Sequence, residues 1–260
     1  MFAFRTLKNQ RGFSMVEMLI AIAIGALLLG VAVRSFTKQQ TLFKNQADGS
    51  VIRETARFSI QELTRDLRMA GYGVPSAVGI TSATVNSITF LSNTDEISTT
   101  VPGDLAASAT AITVNSATGF TTGKTIVILS ATKSPVLYDL KTISSVAGNV
   151  INLTSGLSRA YLASDITVVN GYNTVSMTYN SVSHIVTKSV AGVIKDRENV
   201  TTLAYAYLDK TGATLSAPVS AANLPNIRRI NISMTLQDPN NTSATTAIDN
   251  THVNLRNMNQ

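Results

Sequence analysis

Glu17 is the residue in this sequence whose type and position demand chemistry. It stands in an apolar stretch, Phe13-Ser-Met-Val-Glu17-Met-Leu-Ile-Ala21, that continues without another charge to Val33. A carboxylate inside an apolar span costs about 2.5–3.5 kcal/mol on insertion scales, and such residues usually have a partner; the alternative is that Glu17 sits near the membrane surface and reaches water. The usual catalytic sets are missing. The 260 residues include no Cys and only two His, His184 and His252. A thiol nucleophile, a disulfide framework and a Cys-ligated metal are therefore excluded, and a His-rich zinc site is disfavoured. No P-loop, G-x-S-x-G or H-E-x-x-H sequence occurs. Gly71-Tyr-Gly73 reads as a helix stop, not a dinucleotide fingerprint. Asp95-Glu96 is a single acidic pair, whereas calcium takes about six or more oxygens from a clustered loop. His184 and His252 read as structural, and Arg228-Arg229 as a surface or interface pair ahead of a strand. The expectation is a chain with no catalytic residues, no cofactor and no metal.

The element that carries Glu17 must be a helix. Phe13 to Val33 is 21 residues, about 31 Å of helix at roughly 1.5 Å per residue, which matches a hydrocarbon core of about 30 Å. A secretory signal would need a small-residue cleavage site after the apolar run; Val33-Arg-Ser-Phe36 supplies none. Basic residues flank both ends, Arg5, Lys8 and Arg11 before and Arg34, Lys38 and Lys44 after, so the positive-inside count nearly ties. The initiating amine tips it toward a cytoplasmic N-terminus. The overall charge is +6, but the first twelve residues supply three of those positive charges and no acid. Without them, 18 basic residues face 15 acidic ones, too weak a balance for a phosphate-binding footprint, so no nucleic-acid partner is expected. Charged residues make up only 14%, and 33 Thr and 26 Ser fill nearly a quarter of the chain, as suits a β-rich extracytoplasmic surface.

Arg11-Gly12-Phe13-Ser-Met-Val-Glu17-Met-Leu19, at the head of the apolar helix, resembles the class III signal of type IV pilins and pseudopilins. The resemblance implies that residues 1–12 are a basic leader cut after Gly12 by a prepilin peptidase. It also implies that Phe13 becomes the N-methylated terminus, and that Glu17 pairs with the Phe13 amine of a neighbouring subunit during assembly. Glycine lets the backbone enter a tight protease site. The new amine would be the partner that Glu17 lacks, and their attraction is strong in a water-poor helical bundle. Ala21 and Gly25 form a small-xxx-small step that permits close helix approach. Unlike many major pilins, this sequence has no Pro before Pro75.

Beyond residue 34 the helix continues. Ile52, Ala56, Ile60, Leu63, Leu67 and Ala70 fall on one helical face, with Asp48-Gly49-Ser50 as a soft junction. Gly71, Gly73 and Pro75 stop the helix. From residue 76 the apolar period becomes two. Ile88 and Phe90 alternate, as do Leu203, Tyr205 and Tyr207. Ile230, Ile232, Met234 and Leu236 do the same, and so do Val253 and Leu255. Between 104 and 170, five short strand signals separated by Gly turns suggest an inserted β module: Ile112–Val114, Thr125–Leu129, Leu140–Ile143, Val150–Leu153 and Ile166–Val168. Arg57 to Tyr72, with Leu203–Asp209 and Val253–Asn257, resembles the PilW family of minor pilins and equally the J-type minor pseudopilins of type II secretion.

The expected fold class is α+β, a type IV pilin fold. Its parts are a leader over 1–12, a transmembrane assembly helix over 13–34 and an amphipathic helix over 35–73. A β-rich globular domain over 74–260 contains the 104–170 insertion. Ile60, Leu63 and Leu67 are expected to face the strands of Tyr205, Tyr207, Ile230, Ile232 or Met234, because a half-buried sheet and an amphipathic helix each need a cover. The resemblance implies a minor pilin that helps initiate a type IV pilus and sits at its tip. Its partners would be the prepilin peptidase, other minor pilins, the major pilin and the inner membrane. Before assembly the globular domain would be periplasmic; afterwards it would lie on the pilus at the cell surface. A J-type secretion pseudopilin, or a tip adhesin or DNA-uptake module using the insertion, remains the alternative.

Overall fold

The computed structural model describes residues 14–197, 200–236 and 247–259. A single helix, α1 (Met15–Arg68), runs for 54 residues, about 80 Å at roughly 1.5 Å per residue. No proline interrupts it, and Asp48-Gly49-Ser50 lies within it, with Gly49 buried. The chain leaves the helix through Gly71 and Gly73, at φ 75° and 72°, a left-handed conformation that glycine adopts without steric cost.

Among the described residues fourteen strands follow: β1 (Ile80–Ala83), β2 (Ser87–Ser92), β3 (Ser98–Thr100), β4 (Ala111–Thr113), β5 (Thr125–Ser130), β6 (Tyr138–Ala147) and β7 (Val150–Leu153). The second half supplies β8 (Thr167–Asn180), β9 (Ile185–Val190), β10 (Val193–Arg197), β11 (Val200–Leu208), β12 (Thr214–Leu215), β13 (Arg229–Leu236) and β14 (Ala247–Asn254). All their pairings are antiparallel. One sheet has the order β12-β11-β13-β14, and α1 lies against β13 and β14. The larger sheet runs β1-β2-β8-β5-β6-β7-β4, with β3 on β8 and β9 joining β8 to β10. The chain is thus α+β, a long N-terminal helix packed on antiparallel sheet with further strands added.

The first core joins the helix to both sheets. Ile60, Leu63, Leu67 and Ala70 share it with Leu203, Tyr205, Tyr207, Ile230, Ile232 and Met234, and with Ile88, Phe90, Val175 and Met177 from the larger sheet. The two tyrosines of β11 differ inside it. Tyr207 donates its hydroxyl to Thr84 O at 2.8 Å or Ser87 O at 3.1 Å, pinning the β1–β2 turn. The Tyr205 hydroxyl is buried and has no partner among the described residues. Burial pushes both phenols upward. An orphaned buried hydroxyl costs about 1–3 kcal/mol. Tyr205→Phe is therefore expected to hold or raise the chemical-denaturation midpoint, and Tyr207→Phe to lower stability by about 1 kcal/mol or more. Equal losses in the two variants would show that Tyr205 has a partner.

β8 links this core to a second one. Its residues 173–180 lie between β2 and β9, and residues 167–172 between β3 and β5. Val175, Met177 and Tyr179 face the first core, while Val169 enters a second core with Ile112, Ile126, Ile128, Ile143, Ile151, Leu157 and Tyr161. The strand expected at Ile166–Val168 is the beginning of this 14-residue strand. Ile166 itself precedes it at φ 47°, in the left-handed region, a costly conformation for a β-branched residue. Polar Asn173, Thr174, Ser176 and Thr178 on β8 conceal the strand's continuity in the sequence.

The contacts of the helix end fix where the second core lies. Asp66 pairs with Lys188, which is opposite Met177 of β8. Gly71 N–H donates to Leu91 O at 2.9 Å, and Leu91 is opposite Thr174. Asn170 Nδ2 then donates to Gly73 O at 2.8 Å. Advancing from Asp66 to Gly73 thus retreats along β8 from 177 to 170. The second core begins with Val169 at this end of β8, next to the helix-stop loop.

Candidate functional site

The N-terminal turn of α1 is built around Ser14 and Glu17. Ser14 is extended at φ −64°, ψ 142°, and caps the helix. Its Oγ accepts from Val16 N–H at 3.4 Å, and Glu17 Oε2 accepts from Ser14 N–H at 3.4 Å. This reciprocal pair satisfies amide donors that a helix start leaves open. It also holds the carboxylate over the positive end of the helix dipole. Both bonds are long and both residues exposed, so a stronger cationic donor can displace them. Gly12 and Phe13, expected to flank the cleavage site, lie outside the described residues.

The turn is followed by a helix half that is not buried against any of the described residues. Every large apolar residue from Met15 to Val33 is exposed, including Ile20, Leu27 and Leu29. This is the one helix among the described residues long and apolar enough to cross a membrane. Ala21 and Gly25 sit on this half, and a methyl group added at Gly25 would meet nothing within 4 Å. Ile60, Leu63 and Leu67 lie about 65–75 Å along the helix from Glu17, at roughly 1.5 Å per residue, and are buried in the first core. The expected site residues are therefore divided between an exposed apolar half and a half buried against the sheets.

The other chemical candidates have local partners. Asp95 is paired with Lys124, whose ammonium holds the carboxyl below its ordinary range. His184 lies in the turn between β8 and β9, with Nδ1 3.4 Å from the Tyr179 hydroxyl, and His252 is exposed on β14. Arg228 donates to Pro225 O and Ile227 O, and Arg229 Nε to Asn254 Oδ1 at 3.0 Å. No group of three or more His, Asp or Glu able to hold a metal occurs among the described residues.

Two contributors escaped the sequence reading. Ser14 was legible, since Ser-x-x-Glu ahead of an apolar run is the capping-box pattern. Asn257 was not: its Nδ2 donates to Arg68 O at 3.1 Å and Ala70 O at 3.5 Å. Beside it, the sulfur of Met258 lies 2.9 Å from where a Cβ on Gly71 would stand. The C-terminal segment thus closes over the last turn of α1, and no local pattern announces a contact across 189 residues.

Residues 7–33 match the prokaryotic N-terminal methylation motif. Over 62 residues, 24% of this chain, the sequence is 40% identical to the pilin-like protein PilA3 of Thermus thermophilus, covering 27% of that protein. The chain thus spans about a quarter of that relative's length. Among solved structures, the Gp54 tailspike of Acinetobacter baumannii bacteriophage AP22 overlaps 36% of this chain and 15% of its own, at 17% identity and a TM-score of 0.27. The Pseudomonas phage phi297 tailspike gp61 overlaps 28% of this chain and 13% of its own, at 15% identity and a TM-score of 0.26.

Proposed function

We propose that this pilin-like chain, with its N-terminal methylation motif, is a minor pilin that helps initiate a type IV pilus and occupies its tip. In this reading a prepilin peptidase cuts between Gly12 and Phe13 and Phe13 is methylated. The apolar half of α1 then waits in the inner membrane with the globular half in the periplasm. Assembly packs that half against the helices of other minor pilins and the major pilin, and Glu17 exchanges its weak bond to Ser14 for a neighbour's terminal amine.

The observation that supports the tip assignment is the second core, a body of strands that α1 does not cover and that adjoins the loop leaving its C-terminal end. Subunits whose helices pack side by side, each added from the membrane end, bring each head beneath that of an earlier subunit. A head enlarged by a second core competes for that space. The first subunit meets no such competitor.

Two measurements test the reading. Intact-mass analysis of the membrane and filament fractions is expected to find a chain starting at Phe13 and carrying a methyl group; a chain starting beyond Val33 would overturn it. An epitope inserted in the loop at 131–136, which joins β5 to β6, is expected to bind gold-labelled antibody at one end of sheared filaments. Label spaced along their length would assign the chain to the shaft.

A further inference from the structure

We propose that the cleft between the helix-stop loop and the β5–β6 hairpin binds a neutral saccharide. The cleft has a volume of about 500 Å³, lined on one side by Gly73, Val74, Pro75 and Ala77 and on the other by Leu129, Ser134, Pro135, Val136 and Tyr138. That volume is in the usual range for small-ligand sites, and the cleft lies over a third, small apolar cluster of Val74, Leu91, Val127 and Tyr172.

Its chemistry selects the ligand class. No lining residue is charged, so a phosphate, a carboxylate or a metal ion finds no counter-charge there. Leu129, Val74 and the two prolines give an apolar floor, and Tyr138 adds an aromatic surface beside it. Besides the exposed Ser134 hydroxyl, two polar groups remain open. Asn170 is nine-tenths buried and uses its Nδ2 on Gly73 O. Its Oδ1 has no partner among the described residues, and neither has the Tyr138 hydroxyl. An apolar surface rimmed by an amide acceptor and a phenol matches a pyranose ring, which has a C–H face and a rim of neutral hydroxyls.

The cleft is also preorganised, which lowers the cost of binding. Three groups anchor the hairpin to residues 165–166: Ser130 Oγ and Thr132 Oγ1 donate to Asp165 O at 3.3 and 3.0 Å, and Ala131 N–H to Ile166 O at 3.2 Å. Lys133 Nζ lies 3.3 Å from Asp165 Oδ1. The opposite wall is tied down by the Asn170–Gly73 bond. The strained backbone of Ile166 is held within this same set of contacts. The inference does not depend on filament entry: the cleft belongs to the globular half and would bind in a lone subunit.

The test uses the full chain in phosphatidylcholine nanodiscs and saturation-transfer NMR. The probes are methyl glycosides of glucose, galactose and N-acetylglucosamine, with glucuronate and acetyl-Pro-Pro-amide as comparisons. At least one neutral glycoside is expected to receive saturation at its ring C–H protons. Tyr138→Phe should weaken it measurably, and Ala77→Trp, which fills an exposed wall position, should weaken it about tenfold or more. Leu162→Ala, outside the cleft, should leave it unchanged. No transfer to any neutral glycoside, transfer unaffected by Ala77→Trp, or preferred transfer to glucuronate or the proline peptide would each overturn the proposal. A chain that binds the glycoside but never enters filaments would overturn the filament reading alone.

Discussion

Glu17→Val is expected to insert into the membrane at least as well as the parent chain and to disappear from filaments. The substitution removes an insertion cost of roughly 3 kcal/mol, so membrane fractions should hold normal or higher amounts. It also removes the acceptor that holds Ser14 N–H, but this bond is long and exposed, and its loss should leave the buried helix–sheet contacts intact. Assembly has no substitute. A subunit amine entering a water-poor bundle needs a carboxylate, and an unmatched charge there costs several kcal/mol. The measurement is the ratio of chain in sheared filaments to chain in membranes, expected to fall by about a hundredfold for a loss near 3 kcal/mol. Glu17→Asp, which keeps the charge on a shorter stem, should recover part of it. A normal ratio for the valine variant would end the pairing mechanism while leaving the anchor role standing.

Leu63→Asp is expected to unfold the globular half. Leu63 is 3% exposed and shares the first core with strands from both sheets. Truncating such a leucine to Ala costs about 2–5 kcal/mol. Aspartate adds an unpaired charge to that loss, which puts the variant near the whole stability of a typical domain, about 5–15 kcal/mol. Limited proteolysis should cut within β11 and β13 in the variant and spare them in the parent chain. Lys188→Met supplies a graded comparison. It breaks the bridge from β9 to Asp66 of the helix, in which both side chains are less than one-fifth exposed. It leaves Asp66 without that partner but keeps the packing stem, so a loss of about 1–3 kcal/mol is expected. If Leu63→Asp resists protease and melts like the parent, the helix stripe faces other subunits and not its own sheet.

These expectations draw unequally on sequence and structure. The stripe from Ile52 to Ala70 was readable because a helix repeats its faces every few residues, so neighbours in sequence report one environment. The same holds for Ile230, Ile232 and Met234, whose alternation shows a strand with one side covered. β8 was harder. It crosses from one core to another, and its exposed face carries Asn, Thr and Ser, so no single period persists along its length. Of its residues only Thr167 and Val168 fell within an anticipated strand. Ile166 illustrates the limit: β-branched and apolar, it suggests strand, yet it turns left-handed where Ser130, Ala131 and Thr132 anchor residues 165 and 166 from outside their own segment.

By itself the sequence determined everything set by local composition. The apolar run, its lone carboxylate, the basic residues before it and the glycine stop are each read from a short window of neighbouring residues. Tertiary structure alone decided which strands pair, where the second core sits relative to the helix, and what surrounds the cleft at Tyr138. Those depend on contacts such as Asn170 with Gly73, 97 residues apart, and Asn257 with Arg68, 189 residues apart. The free energy of such contacts exists only once the chain has closed the intervening loops, so no window along the sequence contains it.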